Sequence, residues 1–188
     1  ATLFHNIWSN IQTDSLIANG FTYTGNVGDG RATGFEASAT FRVSDDLNVG
    51  AVLLYNETEL RDRDTAFPSA TPGSFPGAPD WSFGASARYE RPLVFAQSNA
   101  RMYAEGSAAY TGETRSGFGV SPQVGGYASF NVRLGLAAGP WDVSLYGLNL
   151  GNSEGATLSN GNPYLGSGAT LVTPPRPQTV GLSLRRTF

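Results

Sequence analysis

The sequence predicts an all-β protein, a transmembrane antiparallel β-barrel. Three observations predict this class: only 14% of the 188 residues are charged, apolar and polar side chains alternate along much of the chain, and no long uninterrupted apolar run occurs. A soluble domain usually has about a quarter of its residues charged. A membrane-spanning helix needs roughly 20 consecutive apolar residues, so strands are the elements left to cross a bilayer.

Eight segments are predicted to be strands, and they cover residues 1–13, 21–43, 47–62, 81–93, 99–116, 126–138, 141–153 and 175–188. The alternation is clearest in the sixth segment, where Phe130, Val132 and Leu134 share one face while Asn131 and Arg133 share the other. Side chains of a strand alternate between its two faces, so such a segment is apolar on one side and polar on the other.

Two strands do not have one clear apolar face. In the first strand two aromatic residues compete with three aliphatic ones for that face, namely Phe4 and Trp8 against Leu3, Ile7 and Ile11. In the second strand the stretch 22–30 is polar on both faces. We expect it either to project above the bilayer as an extended hairpin arm or, because glycine weakens a strand, to contain a bulge or a loop.

A soluble β-sandwich alternates in the same way, and three details count against it. Arginine and glutamate lie in the middle of polar faces, which suits a wet lumen. Aromatic residues such as Trp81, Tyr89 and Trp141 mark the ends of apolar faces, where girdles form at the two membrane interfaces. Short connections at 44–46, 93–98 and 139–140 alternate with long ones at 63–80, 117–125 and 154–174. Periplasmic turns and extracellular loops give outer-membrane barrels this rhythm.

Side chains that carry enzyme chemistry are scarce. The chain has no cysteine and one histidine, His5, in the first predicted strand. A Ser–His–acid arrangement or a metal centre cannot be argued from one histidine, so we expect no enzyme activity, no metal and no cofactor. The net charge is −3, whereas nucleic-acid-binding domains carry basic patches, so we expect no nucleic-acid partner.

Three segments resemble the late barrel of TonB-dependent outer-membrane receptors, namely 21–36, 141–152 and 174–188. The first contains a Tyr-x-x-Asn-x-Gly run followed by Gly-Phe-Glu, which is similar to the family's signature ahead of a short turn. The second is similar to the penultimate strand with its Asn-Leu ending, although Gly151 stands where the family usually has an aromatic residue. The third is similar to the last strand, with a proline-arginine start and a terminal Phe188.

This resemblance covers nearly the whole chain in the family's order, and it implies a fold and a function. Residues 1–188 would be the last eight strands of a 22-stranded barrel, with the plug domain and the earlier strands upstream of Ala1. The protein would import a scarce, bulky nutrient, such as a ferric siderophore, a cobalamin or a glycan, across the outer membrane of a Gram-negative bacterium. Implied partners are membrane lipid, a TonB complex reached through the missing N-terminal part, and the outer-membrane assembly machinery, for which Phe188 would be the signal.

Candidate functional residues fall into two groups. Charged residues that alternate onto the polar face could line a substrate path or hold a plug, and these are Arg42, Arg88, Glu90, Arg101, Glu105 and Arg133. The competing interpretation is that any wide barrel needs a polar, charge-balanced lumen. Loops on a rigid scaffold carry recognition, so Arg63, Phe118 and Tyr164 are candidates for first contact with a ligand.

The alternative is a complete small eight-stranded outer-membrane barrel with a structural or adhesive role. Such a barrel has its interior filled by side chains. The predicted inward positions are mostly small, namely Ser38, Ser82, Gly84, Ser86, Ser129, Gly135, Ser144 and Ser183. They would leave voids in a small barrel, which favours a wide one. We therefore also expect two unpaired edges, at the first and eighth strands, and no closed monomeric barrel from this chain alone.

Overall fold

The computed structural model describes residues 1–16, 21–62, 75–95, 98–118, 123–161 and 170–188. Regular structure in these ranges is β-strand: β1 Thr2–Leu16, β2 Thr22–Arg42, β3 Leu47–Arg61, β4 Trp81–Phe95, β5 Ser98–Thr111, β6 Thr114–Arg115, β7 Gln123–Val124, β8 Tyr127–Ala138, β9 Trp141–Leu148, β10 Leu158–Gly161, β11 Thr170–Thr173 and β12 Thr179–Arg186. No helix in the described part is long and apolar enough to cross a membrane.

The long strands form one antiparallel eight-stranded sheet in the order β1-β2-β3-β4-β5-β8-β9-β12. Neighbours in the sheet follow one another along the chain, apart from two small hairpins, β6–β7 and β10–β11, inserted in long connections. The all-β class and the eight predicted strands are therefore confirmed. Within the described ranges β1 and β12 lie at opposite edges and do not pair, so the sheet is open, as in part of a barrel.

Three predicted strand ends differ from the structure by four residues or more. The fifth strand was expected to reach residue 116, but β5 ends at Thr111 and residues 114–115 pair with β7 instead. The seventh was expected to reach residue 153, but β9 ends at Leu148, because Asn149 has a left-handed backbone with φ 47°. The eighth was expected to start at residue 175, but β12 starts at Thr179. The prolines before it have no N–H to donate to a neighbouring strand.

Connections at the two ends of the sheet differ in length, as predicted. At one end β2 and β3 are joined by a tight turn in which the Val43 N–H donates to the Leu47 carbonyl at 2.8 Å. β8 and β9 are joined by Gly139 and Pro140, and Gly139 has a φ of 54°, which glycine adopts without a Cβ penalty. The connections that hold β6–β7 and β10–β11 lie at the other end. Neither small hairpin was predicted from the sequence.

The two faces of the sheet differ in composition, one being apolar and the other small and polar. The outer face carries exposed apolar residues, namely Phe41, Phe83, Phe130, Val132, Leu134, Leu136, Val143, Leu145, Val180, Leu182 and Leu184. The inner face carries the small and polar residues. The eight small positions predicted to point inward all lie on this inner face.

Two bulges explain why the first and second strands have no single apolar face in the sequence. Leu3 and Ile7 are 85% and 72% exposed on the outer face, while Phe4 and Trp8 lie on the inner face. Register shifts follow Trp8 and Ile11, so that Ile11 also lies on the inner face, packed against a small buried cluster. Grouping Ile11 with Leu3 and Ile7 was therefore wrong, because an extra residue in a strand reverses the faces beyond it. The stretch 22–30 is strand and contains the second bulge.

Aromatic residues on the outer face mark both ends of the apolar surface. Tyr55 and Trp81 have ring centroids 4.5 Å apart, and Phe35 lies 5.8 Å from Tyr55. At the opposite end, the guanidinium carbon of Arg186 lies 5.2 Å from the Trp141 ring centroid. Aromatic girdles of this kind flank the apolar band of outer-membrane barrels.

Candidate transport surface on the inner face

Charged residues of β4 and β5 form an ion-pair network on the inner face. Arg88 pairs with Glu105, which lies directly opposite it in the register, and with Glu90 at 2.6 Å. Arg101 binds the other oxygen of Glu90 at 2.9 Å. These four residues were all candidates from the sequence, and the fold brings them together near the short-turn end. The network holds both glutamates with arginine donors and fixes their orientation.

Tyr103 covers this network from the next position along β5. The residue is 7% exposed, and its hydroxyl donates to Asp142 of β9 at 2.9 Å. The guanidinium of Arg88 lies 5.3 Å from the Tyr103 ring centroid. Gly135 lies directly opposite Tyr103, and a Cβ there would overlap the tyrosine ring. The ring can therefore lie flat across β8 only because residue 135 is glycine.

The same layering occurs once more, one strand pair further along. Arg133 of β8 lies over the ring of Tyr146 of β9 at 5.8 Å, and the two residues are directly opposite in the register. Gly181 of β12 is opposite Tyr146, and a Cβ there would meet the ring at 2.5 Å. This part of the inner face therefore contains two Arg–Tyr–Gly layers, Arg88–Tyr103–Gly135 and Arg133–Tyr146–Gly181. Ser144 lies between the tyrosines on the same strand face and is almost fully buried.

The predicted charged candidates do not all act together. Arg42 lies in the same register row as Arg88 and Arg133, but its guanidinium turns to Asp45 at 3.1 Å in the β2–β3 turn. Sequence reasoning did not single out Tyr103, Tyr146 and Asp142. Their inward alternation was visible, but the glycine opposite each tyrosine becomes apparent only once the strand register is known.

Near the long-loop end, the inner face is apolar. Val27 is fully buried and packs with Leu60, and Ile11, Tyr23, Phe75 and Phe118 surround them. Phe75 comes from the β3–β4 connection, and its N–H donates to the hydroxyl of Thr58 at 2.8 Å. The rings of Phe75 and Phe118 are 5.9 Å apart, so two long connections meet here. Of the three loop candidates, Phe118 thus packs inside this cluster, and Arg63 and Tyr164 lie outside the described residues.

A groove of about 540 Å³ lies between the apolar cluster and the charged network. Its inner-face lining includes Ser38, Val52, Ser82 and Gly84. Small side chains here keep the middle of the inner face open. Along one direction the surface thus changes from aromatic, to small and mixed, to charged.

An open antiparallel sheet with an apolar outer face, aromatic ends and a polar inner face is the wall of an outer-membrane β-barrel. A sequence model of the family described as TonB dependent receptor-like, beta-barrel matches residues 1–150. The chain belongs to this family, as its resemblance predicted. The family consists of outer-membrane proteins of Gram-negative bacteria that are transporters and not enzymes.

Solved structures of two receptors have a similar fold. The ferric yersiniabactin uptake receptor FyuA from Yersinia pestis is 20% identical, with a TM-score of 0.80 over 99% of this chain and 27% of that one. The ferric-catecholate import receptor Fiu from Escherichia coli K12 is 19% identical, with a TM-score of 0.68 over 99% of this chain and 24% of that one. This chain thus spans about a quarter of each receptor. A comparison with curated proteins gives no match.

Proposed function

We propose that residues 1–188 form the C-terminal eight strands of the barrel of a TonB-dependent transporter that imports a bulky nutrient through the outer membrane. The observation that carries this is the open sheet of a chain from the receptor family. Its inner face has small side chains in the middle and charged ones near the short-turn end. A ferric siderophore, a cobalamin or a glycan needs such a wide, hydrated path. Ferric siderophores are the first class to test, because both receptors of similar fold take up ferric complexes.

In this proposal the chain positions and passes cargo and carries out no chemical step. The charged inner-face residues would line the path or contact a plug. Arg63 and Tyr164, in the two longest predicted loops, would make first contact with the ligand, and Phe118 would hold the loop base from inside. Energy would come from a TonB complex that contacts a part of the protein N-terminal to this barrel segment. The last strand, with Phe188, would be the part that the assembly machinery binds.

Uptake in a deletion strain tests the proposal. The gene is deleted, and cells are supplied with a panel of radio-iron-labelled siderophores, labelled cobalamin and labelled oligosaccharides. We expect loss of uptake of one compound, restoration by the complete gene, and no restoration in cells lacking TonB. Uptake of every compound unchanged by the deletion, with a phenotype only in adhesion or envelope integrity, would support the structural small-barrel alternative instead.

Two adjacent variants test whether the inner face is the path. Ser86 lies on the inner face of β4 and Ala87 on the outer face. We expect Ser86→Trp to reduce uptake, because its ring projects into the lumen, while Ala87→Trp enters lipid and leaves uptake unchanged at equal surface levels of receptor. An equal effect of both variants would contradict an inner-face path.

A further inference from the structure

Two inner-face arginines have no acidic partner among the described residues, in contrast to their neighbours. Arg88 and Arg101 are bound by Glu105 and Glu90. Arg133 and Arg185 form no ion pair with any described residue. Free guanidinium groups that face a lumen are available to an incoming anion.

The guanidinium of Arg133 is held in place by a ring and not by a charge. Its guanidinium carbon lies 5.8 Å from the ring centroid of Tyr146, whose ring is itself fixed across Gly181. A cation–ring contact uses none of the N–H donors of the guanidinium, so they can bind the two oxygens of a carboxylate. Glu105, opposite Arg133 in the register, is bound to Arg88 instead.

Arg133 and Arg185 line one polar cavity of about 200 Å³ that also has Ser183 in its wall. The charged groups around it are four arginines and three carboxylates, namely Arg88, Arg101, Arg133, Arg185, Glu90, Glu105 and Asp142, a net charge of +1. Asp142 is the carboxylate directly opposite Arg185 in the register. It accepts the Tyr103 hydroxyl and lies beyond ion-pair distance of Arg185. An added anion would therefore balance the local charge.

We propose that Arg133 and Arg185 form an oxyanion site on the inner wall that binds a carboxylate group, with the Ser183 hydroxyl as a further donor. The site deepens the proposed function, on which its position in a transport lumen rests. The carboxylate could belong to a cargo in transit or to an acidic side chain of polypeptide held inside the barrel. Both sources present the same chemistry to the two guanidinium groups, and the experiment below separates them.

Reaction with phenylglyoxal, an arginine reagent, tests the site in outer-membrane vesicles that contain the complete protein. Modification of Arg133 and Arg185 is timed by mass spectrometry, with Arg42 as the internal reference because it lies in the same register row but is paired in the turn. Citrate serves as the carboxylate probe, against sodium chloride of equal ionic strength. At about three times its dissociation constant, citrate should slow both reactions about fourfold, since only the empty fraction reacts.

The outcomes separate the two sources. Slowing by citrate indicates a site open to free carboxylates, as for a cargo. No citrate effect, but a larger acceleration by about 1 M sodium chloride at Arg133 and Arg185 than at Arg42, indicates a carboxylate of the protein itself, because salt screens that pair. The Arg42–Asp45 pair is exposed and already weak, so salt should change the Arg42 rate little. Rates that follow Arg42 under every condition would overturn the proposal. The vesicles need no energy source, so this result does not depend on whether import is observed.

Variants give a second check. Arg133→Gln should abolish the citrate or salt effect at Arg185, since one of the two guanidinium groups that line the cavity is then missing. Arg91→Gln, on the opposite face of β4, should leave the effect intact. Heat-modifiable migration on a gel shows whether each variant is folded. Should Arg133→Gln not fold, Arg133→Lys replaces it, with the expectation of a weakened effect because lysine lacks the planar pair of donors. An unchanged effect at Arg185 in a folded variant would contradict a shared site.

Discussion

Gly135 provides a sharp test of how the inner face is built. Tyr103 can lie flat across β8 only while residue 135 has no Cβ. Gly135→Ala should therefore push the ring away, break its hydrogen bond to Asp142 and separate it from Arg88. The backbone need not move, because the atoms that a Cβ would meet belong to a side chain.

The size of the effect follows from the contacts that are lost. The hydrogen bond has a charged acceptor, and its loss costs about 1.5–3 kcal/mol. Loss of the arginine–ring contact costs about 0.5–1 kcal/mol. Alanine is favoured over glycine within a strand by about 0.5–1 kcal/mol, which offsets part of this. We expect Gly135→Ala to lower the free energy of unfolding by about 2 kcal/mol.

The assay is urea unfolding of the complete receptor, followed by tryptophan fluorescence, on a double-mutant cycle with Tyr103→Phe. The hydroxyl deletion should destabilise the wild-type protein but have little further effect in the Gly135→Ala background, where the bond is already broken. Gly106→Ala is the matched control, since nothing lies within 4 Å of a Cβ at that position of β5. Equal costs for the two alanine variants, or an additive cycle, would refute the reasoning.

Three further predictions concern other parts of the sheet. Asn149→Ala should lower the free energy of unfolding in urea by about 2–4 kcal/mol. The buried Asn149 side chain donates to the Arg176 carbonyl at 2.8 Å and so joins β9 to the chain before β12. Full stability of Asn149→Asp, which lacks this donor, would contradict the prediction. Phe75→Ala should speed cleavage of the β3–β4 connection by protease added to whole cells, because Phe75 packs this connection against Val27 and Leu60. Phe75→Leu should speed it less. Equal cleavage rates in the wild type and both variants would argue against this packing. Arg186→Gln should lower stability by about 0.5–1 kcal/mol through loss of contact with Trp141, and no change in Arg186→Gln would mean that lipid replaces it.

The faces of most strands could be predicted because one face is apolar and the other polar over many residues. Phe130, Leu134 and Arg133 could be assigned in this way, since a strand fixes side-chain direction with period two. Ile11 could not, because the bulge after Trp8 changes the parity and depends on pairing with β2. Asn10 within that bulge has a left-handed φ of 56°. Asparagine tolerates this conformation, but an asparagine in a strand does not by itself predict a bulge.

The charged residues of the candidate site could be predicted from the sequence, but their contacts across strands could not. The charges on β4 and β5 were visible as an inward alternation, and their pairing follows once Arg88 and Glu105 are opposite each other. The two Arg–Tyr–Gly layers depend on contacts between strands whose register the sequence does not state. Gly135 was predicted only as a small lumen residue, whereas Gly135 and Gly181 are each required by a tyrosine on the neighbouring strand.

The gradient along the inner face separates two tasks of the proposed transporter. Near the long-loop end, Phe75 and Phe118 are fixed by packing on Val27, so this region presents a formed aromatic surface to whatever binds above it. Near the short-turn end, charged groups are held by ring contacts and ion pairs, and the proposed carboxylate site at Arg133 and Arg185 lies there. Between them, small residues such as Ser82 and Gly84 leave a groove open. Variants in the aromatic cluster should therefore alter ligand binding at the cell surface, whereas variants at Arg133 or Arg185 should alter passage while leaving surface binding intact.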